Sequence, residues 1–244
     1  HELSFSLINT NDYINLKNIF DKCNLKIKKI LLKSFIEGAF LSDNNKNIET
    51  FFLIQINDDN SKIVYFENNS LKFEQDFKFG TNIILQDISK ITSLKIEDIN
   101  NILKNTQFKK EISEEELVES ENLNQNISRK IKKKLIYDIA LARIKEISEI
   151  IIFKNINLRY FNQSAKNIFL EISNDTNLFS FKELFSLIFS EDKKRDLYFN
   201  NNLSTDDMLE IIKKLVHFGW KKEAIPTSHA KRSIVARFFD ALFS

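Results

Sequence analysis

The stretch Phe51–Phe79, FFLIQINDDNSKIVYFENNSLKFEQDFKF, decides the fold. Phe51 to Ile56 is apolar at every position but Gln55, the mark of a strand buried on both faces. Lys62 to Phe66 and Ser70 to Phe79 read as two further strands. Between them, Asn57-Asp58-Asp59-Asn60 and Glu67-Asn68-Asn69 are turn-forming residues, so an antiparallel meander is predicted.

Upstream of the meander the pattern predicts a strand over Leu3–Ile8 and a helix over Tyr13–Cys23, with Ile14, Leu16, Ile19, Phe20 and Cys23 at helical spacing. Asn24 ends that helix. A strand over Ile27–Leu31 and a helix over Ser34–Leu41 follow. Downstream, helices are predicted over Ile83–Ile91 and Ile96–Lys104. The acidic run Glu111–Glu121 and the basic run Arg129–Lys134 read as solvated loops or faces, because such runs cannot bury themselves. A long helix over Leu135–Phe153 turns Ile139, Ala142, Ile147, Ile150 and Ile151 inward. After it come a strand (Asn167–Ile172), a helix (Phe181–Phe189), a short strand (Leu197–Phe199) and a helix (Thr205–Phe218) with Asp206 and Asp207 in its first turn. Lys221–Ser228, with Pro226, is a linker to a last helix over Ala230–Phe243. The result is an α/β fold without internal repeats.

Composition excludes several function classes. The 244 residues include only 3 glycines and 1 proline, where average usage would give roughly 17 glycines. Gly38, Gly80 and Gly219 stand far apart, so no window can be a Walker loop, a dinucleotide fingerprint or a kinase-type glycine loop. Lys+Arg 36 against Asp+Glu 34 leaves +2, without the basic excess of a nucleic-acid surface. The single cysteine, Cys23, excludes internal disulfides and cysteine-cluster zinc sites, and its place on a helix face reads as core. His1, His217 and His229 are scattered, so neither a catalytic triad nor a metal site is expected, and His217 and Trp220 read as packing residues. No apolar run reaches the roughly 20 residues of a membrane span, and the N-terminus lacks the regions of a signal peptide.

Several passages, in order, resemble the second half of the cell-division protein FtsA, an actin-like family. Asp21-Lys22-Cys23-Asn24-Leu25-Lys26-Ile27 is similar to the family's E-R-C-G-L-x-V passage, and Ile30–Leu41 to the strand and linking helix after it. Leu53–Phe66 falls where the family has D-I-G-G-G-T-T-D-I-A-V-F. Asn68-Asn69-Ser70-Leu71 stands at its N-G-S-L, and Phe79-Gly80-Thr81-Asn82 through Asp87-Ile88 at its V-G-G-N and D-I-A. Ser93–Ile102 resembles its helix L-S-E-A-E-K-I. The resemblance implies an actin-like, ribonuclease H-like lobe with a β-meander and flanking helices. It also implies a segmentation. Residues 1–30 would be the remnant of the inserted subdomain, and 31–104 the first part of the lobe with its phosphate hairpin. Residues 105–134 would be a charged loop, and 135–220 the tail-binding subdomain with the remainder of the lobe. Residues 221–228 would be a linker and 229–244 a membrane-targeting amphipathic helix. Because only the second half is resembled, the chain is expected to lack the first half or to be recorded without it.

The departures from the family gather at the nucleotide. Actin-like ATPases use glycines to aim backbone N–H groups at phosphate, and carboxylates to position metal and water. Here Asn57, Asp58 and Asp59 replace three glycines, Gln55 replaces the first Asp, and Lys62 the last. Glu171-Ile172-Ser173-Asn174-Asp175 replaces the adenosine turn T-G-G-G, and Ile99 and Asn101 stand where the family presents Glu and Lys to the ribose. Two added carboxylates repel a triphosphate, so ATP with Mg, the family's cofactor, is expected to be lost, leaving no catalytic residues and no metal. Asn57–Asn60 also suits a plain hairpin turn, with a weak divalent-cation site and a live phosphate loop as the alternatives.

Two attachment surfaces remain. In Ala230–Phe243, Ile234, Phe238 and Leu242 form one row and Val235, Phe239 and Phe243 the next, while Lys231, Arg232 and Arg237 lie outside the apolar stripe. Such a helix suits an in-plane membrane anchor or a helix docked on its own domain, and the family's basic terminal helix favours the membrane. Ile139–Ile147 resembles the family's I-x-x-R-Y-x-E-L on the subdomain that captures the C-terminal tail of FtsZ. Arg143 and Glu146 would be its polar contacts, or an ordinary i, i+3 pair, and Ile144 replaces the aromatic. The expectation is a division protein that tethers FtsZ to inner-membrane lipids on the cytoplasmic face at the division site. Self-association is a lesser expectation, since much of one lobe is missing, and nucleic acid is not a partner. The alternatives are a divergent but active actin-like ATPase and another actin-like membrane-assembly protein of the pilus-assembly type.

Overall fold

The structure is a computed structural model that describes residues 7–105, 113, 115–118, 130–161, 165–173, 178–190, 195–200 and 203–218. By packing, the chain divides into two units, residues 45–203 and residues 1–44 with 204–244.

The larger unit is built on the meander. Strands β1 (Phe51–Ile56), β2 (Ser61–Glu67) and β3 (Ser70–Phe77) pair antiparallel in sequence order. Asn68 and Asn69 have φ of 50° and 62°, which is what the two-residue turn between β2 and β3 requires. All six residues of β1 are buried, and the strand sits mid-sheet because nothing in it favours an edge. On its other side β4 (Asn167–Ile172) pairs parallel, followed by β5 (Asp196–Phe199), to give the order β3-β2-β1-β4-β5. A parallel neighbour demands a long crossover. It is supplied by helices α3 (Asn82–Thr92), α4 (Ile96–Asn105) and α5 (Lys133–Ser148), and α6 (Leu178–Ser190) makes the second crossover, from β4 to β5.

The core joins Phe52, Ile54, Ile63 and Tyr65 of the sheet to Ile84 and Ile88 of α3, Ile99 and Ile102 of α4, Ile144 of α5 and Phe185 of α6. On the opposite face of β1, Phe51 stacks on Phe66 at 5.0 Å and meets Phe169 edge-on at 5.3 Å.

Several expectations are corrected. α5 keeps α geometry only to Ser148, and Glu149–Phe153 continues it as a turn of π-helix. Its inward residues are Ile136, Ala140, Ile144 and Ile147, whereas Ala142 and Ile150 face solvent. The basic run is not wholly solvated. Leu117 and Lys132 form an antiparallel bridge, Ile131 is buried, and Lys133 Nζ meets Glu116 Oε1 at 2.8 Å.

The smaller unit contains helices α1 (Thr10–Lys22), α2 (Lys33–Asn44) and α7 (Thr205–Phe218). α2 and α7 pack on each other, with Ile211 and Leu215 of α7 buried. Ser204 starts α7 by accepting from the Asp207 N–H at 3.2 Å. Lys214 Nζ donates to Asp43 Oδ2 at 3.0 Å, and hydrogen bonds to Asp43 and Glu210 raise its pKa above the ordinary lysine value. A raised lysine pKa keeps that bridge charged at neutral pH and surrenders it only as pH rises through the folded value. No strand forms over Ile27–Leu31, nor at Leu7 and Ile8, the described part of the other predicted strand. Neither stretch finds a partner to complete a ladder. Cys23 is exposed rather than core, since no described element covers its helix face.

Candidate functional site

The turn Asn57–Asn60 lies at the carboxyl end of β1, beside the carboxyl end of its parallel neighbour β4, the edge where open α/β sheets place ligands. Three segments meet there. Within the turn, the Asn57 N–H donates to the Asn60 carbonyl at 2.9 Å and Asn57 Nδ2 to Asn60 Oδ1 at 2.6 Å. From the end of β4, Ser173 Oγ donates to Asn57 Oδ1 at 2.6 Å, and the Ser173 N–H to the Ile56 carbonyl at 3.0 Å.

The third segment is the entry to α3. The Thr81 N–H donates to the Asn57 carbonyl and the Asn82 N–H to the Asp58 carbonyl, both at 2.9 Å. Their side chains repeat the pairing, Thr81 Oγ1 to Asp58 Oδ1 at 3.2 Å and Asn82 Nδ2 to Asp59 Oδ1 at 2.9 Å. Gly80 makes the approach possible. A Cβ there would stand 2.0 Å from the Asn57 carbonyl oxygen and 2.6 Å from that of Asp58. Ser61 Oγ, at the start of β2, adds a bond to the Phe79 carbonyl at 2.7 Å.

A helix N-terminus holds phosphate through N–H groups left without intrahelical partners. Here the Thr81 and Asn82 N–H groups are spent on turn carbonyls, and the exposed Asp58 and Asp59 add negative charge in front of them. Gln55 and Glu171, opposite each other on β1 and β4, are nearly buried, with Gln55 Nε2 donating to Glu171 Oε2 at 3.4 Å. The three segments form a latch rather than a cradle.

The remaining candidate residues are not gathered here. Lys62 pairs across the strands with Glu74 at 2.6 Å and Asp76 at 3.6 Å on β3. Ile99 is in the core and Asn101 is half-buried on α4. Arg143 bridges two helices, with Nε to Asp87 Oδ2 of α3 at 2.5 Å and a second guanidinium nitrogen to Glu146 Oε2 at 2.6 Å. Ile144 is fully buried and cannot take the place of an exposed aromatic. Asn174, Trp220, the His217 side chain, and all of Lys231, Arg232, Ile234, Val235, Arg237, Phe238, Phe239, Leu242 and Phe243 lie outside the described residues. Among the described residues, no group of three or more His, Cys, Asp or Glu is placed to hold a metal ion, and no helix is long and apolar enough to cross a membrane.

Sequence reasoning placed Gly80, Thr81 and Asn82 in the chain but gave them no role. Gly80 carried a signal, as one of only 3 glycines in the chain.

The strand order, with helices against the core face, is that of the actin-like fold. Solved structures of that class resemble the chain. MreB5 of Spiroplasma citri, bound to ADP, matches over 89% of this chain and 68% of its own, at 12% identity and a TM-score of 0.53. Its AMPPNP-bound structure matches over 89% and 67%, at 13% identity and a TM-score of 0.52. The ethanolamine utilization protein EutJ from Carboxydothermus hydrogenoformans matches over 67% of this chain at 11% identity and a TM-score of 0.42. The chain spans 47% of the length of EutJ and about two thirds of that of MreB5. Neither a protein-family profile nor a curated protein matches it in sequence.

Proposed function

We propose that this chain is an actin-fold tether, an FtsA-like protein that joins FtsZ polymers to the cytoplasmic face of the inner membrane at the division site. It works through attachment surfaces and not through nucleotide turnover. The latched turn supports this reading: the Asn57 N–H is bonded to the Asn60 carbonyl, the Thr81 and Asn82 N–H groups are bonded to the Asn57 and Asp58 carbonyls, and the exposed Asp58 and Asp59 carboxylates stand where a phosphate would lie. Titration with ATP or ADP and Mg is expected to show no saturable binding below about 1 mM, and a micromolar dissociation constant would overturn the loss of the cofactor. Co-sedimentation supplies the second arm. The protein is expected to carry FtsZ filaments down with vesicles only when both are present.

The FtsZ tail is assigned to the outer face of α5. Because Arg143 ties α5 to Asp87 of α3, its removal acts first on packing: Arg143→Ala is expected to cost about 1–2 kcal/mol in chemical denaturation. Glu146 is more exposed, and its change leaves the Asp87 bond in place. Glu146→Lys is expected to weaken tail-peptide binding about tenfold at unchanged stability. Normal peptide binding by that variant removes α5 from the tethering surface.

A further inference from the structure

Helix α1 is properly terminated, yet it buries none of its side chains. Asn9 caps its start by accepting from the Asn11 N–H at 2.9 Å. Asn24, with φ of 56°, closes its end, where the Leu25 N–H donates to the Phe20 carbonyl at 2.9 Å. Tyr13, Leu16, Ile19 and Phe20 fall on one face at helical spacing, and all are exposed, Ile19 to 60%. Asp12 shares that face in the first turn, and Lys17 and Lys22 stand on its two borders.

The segment that follows continues the character. Residues 22–33 read KCNLKIKKILLK, five lysines in twelve residues without a carboxylate. Leu25 and Ile30 are exposed between them. Among the described residues, Lys17, Lys22, Lys26, Lys28 and Lys29 make no ion pair.

We infer that α1 and its lysine-rich continuation form a lipid-contacting surface that lies in the plane of an anionic bilayer. A lone convex helix offers a face but no groove for a peptide, and its flanking lysines provide the wrong charge for a second copy of itself. A bilayer asks only for an apolar stripe bordered by cations whose stems can lie along the apolar surface while their ammonium groups reach the headgroups. The surface adds a second attachment to the tether proposed above, but it rests on residues separate from the C-terminal segment and needs no FtsZ.

Cys23 provides the test. It is the only thiol in the chain, it is exposed, and it follows directly on the stripe. The full chain, labelled there with an environment-sensitive fluorophore, is mixed with vesicles of one part phosphatidylglycerol to two parts phosphatidylcholine. A saturable blue shift is expected, weakened by salt and absent with phosphatidylcholine alone. Each of Lys26, Lys28 and Lys29 changed to Gln should weaken the apparent affinity about fivefold. Leu16→Asp with Ile19→Asp should abolish the shift while the protein, still helical by circular dichroism, sediments through its C-terminal segment. Phe238→Asp with Phe239→Asp should keep the shift at higher lipid concentration. Three results would overturn the inference: sedimenting protein without a shift, a shift that grows with protein concentration in the absence of lipid, and a shift that appears only with FtsZ.

Discussion

Gly80→Ala is expected to lower the unfolding free energy by about 2–3 kcal/mol and the melting temperature by about 4–12 °C. Gly80 does not have a positive φ, so backbone strain is not the cause. In open space the same change would stabilise a protein by about 0.4–1 kcal/mol through the unfolded chain. Here the added carbon would lie 2.0 Å from a backbone oxygen that the Thr81 N–H already holds. No side chain can swing aside to make room. Turn and helix must part, and the bonds from Thr81 and Asn82 to Asn57, Asp58 and Asp59 are lost together. Hydrogen exchange should report this directly, with the Thr81 and Asn82 amides losing protection before those of β1. Unchanged stability and unchanged protection would show that the turn does not rest on α3.

Phe238→Asp with Phe239→Asp is expected to reduce partition onto anionic vesicles by on the order of 10²–10⁴. A fully buried Phe contributes about 1.5–3 kcal/mol, and these two belong to adjoining rows of the stripe that the sequence predicts over Ala230–Phe243. The residual binding, held by α1, should be the more salt-sensitive part. Sedimentation equal to that of the unchanged protein would mean that the terminal segment docks on its own chain.

The meander and its order were legible because a run such as Phe51–Ile56, apolar at all positions but Gln55, has few other places to go. The face of α5 was harder, since Ile139, Ala142 and Ile150 satisfy one helical period and Ile136, Ala140 and Ile144 another. Only the position of the sheet chooses between them. At α1 and Cys23, spacing revealed a face and said nothing of what covers it. The latch was the least legible. Its bonds join residues 23 and 116 apart, so the turn could be read from the chain but not the closure that its residues make.

The parallel ladder between β1 and β4 also fixes an order of events in folding. The meander closes through short turns and can form as it leaves the ribosome, whereas β1 must await a strand whose residues lie 116 positions later. At usual synthesis rates of about 5–20 residues per second, the apolar edge of β1 stays unpaired for roughly 6–23 s. FFLIQI is the kind of short, uncharged segment that adds to its own kind when left open. The newly made chain therefore passes through an interval in which molecular chaperones, or simply low expression, decide its yield.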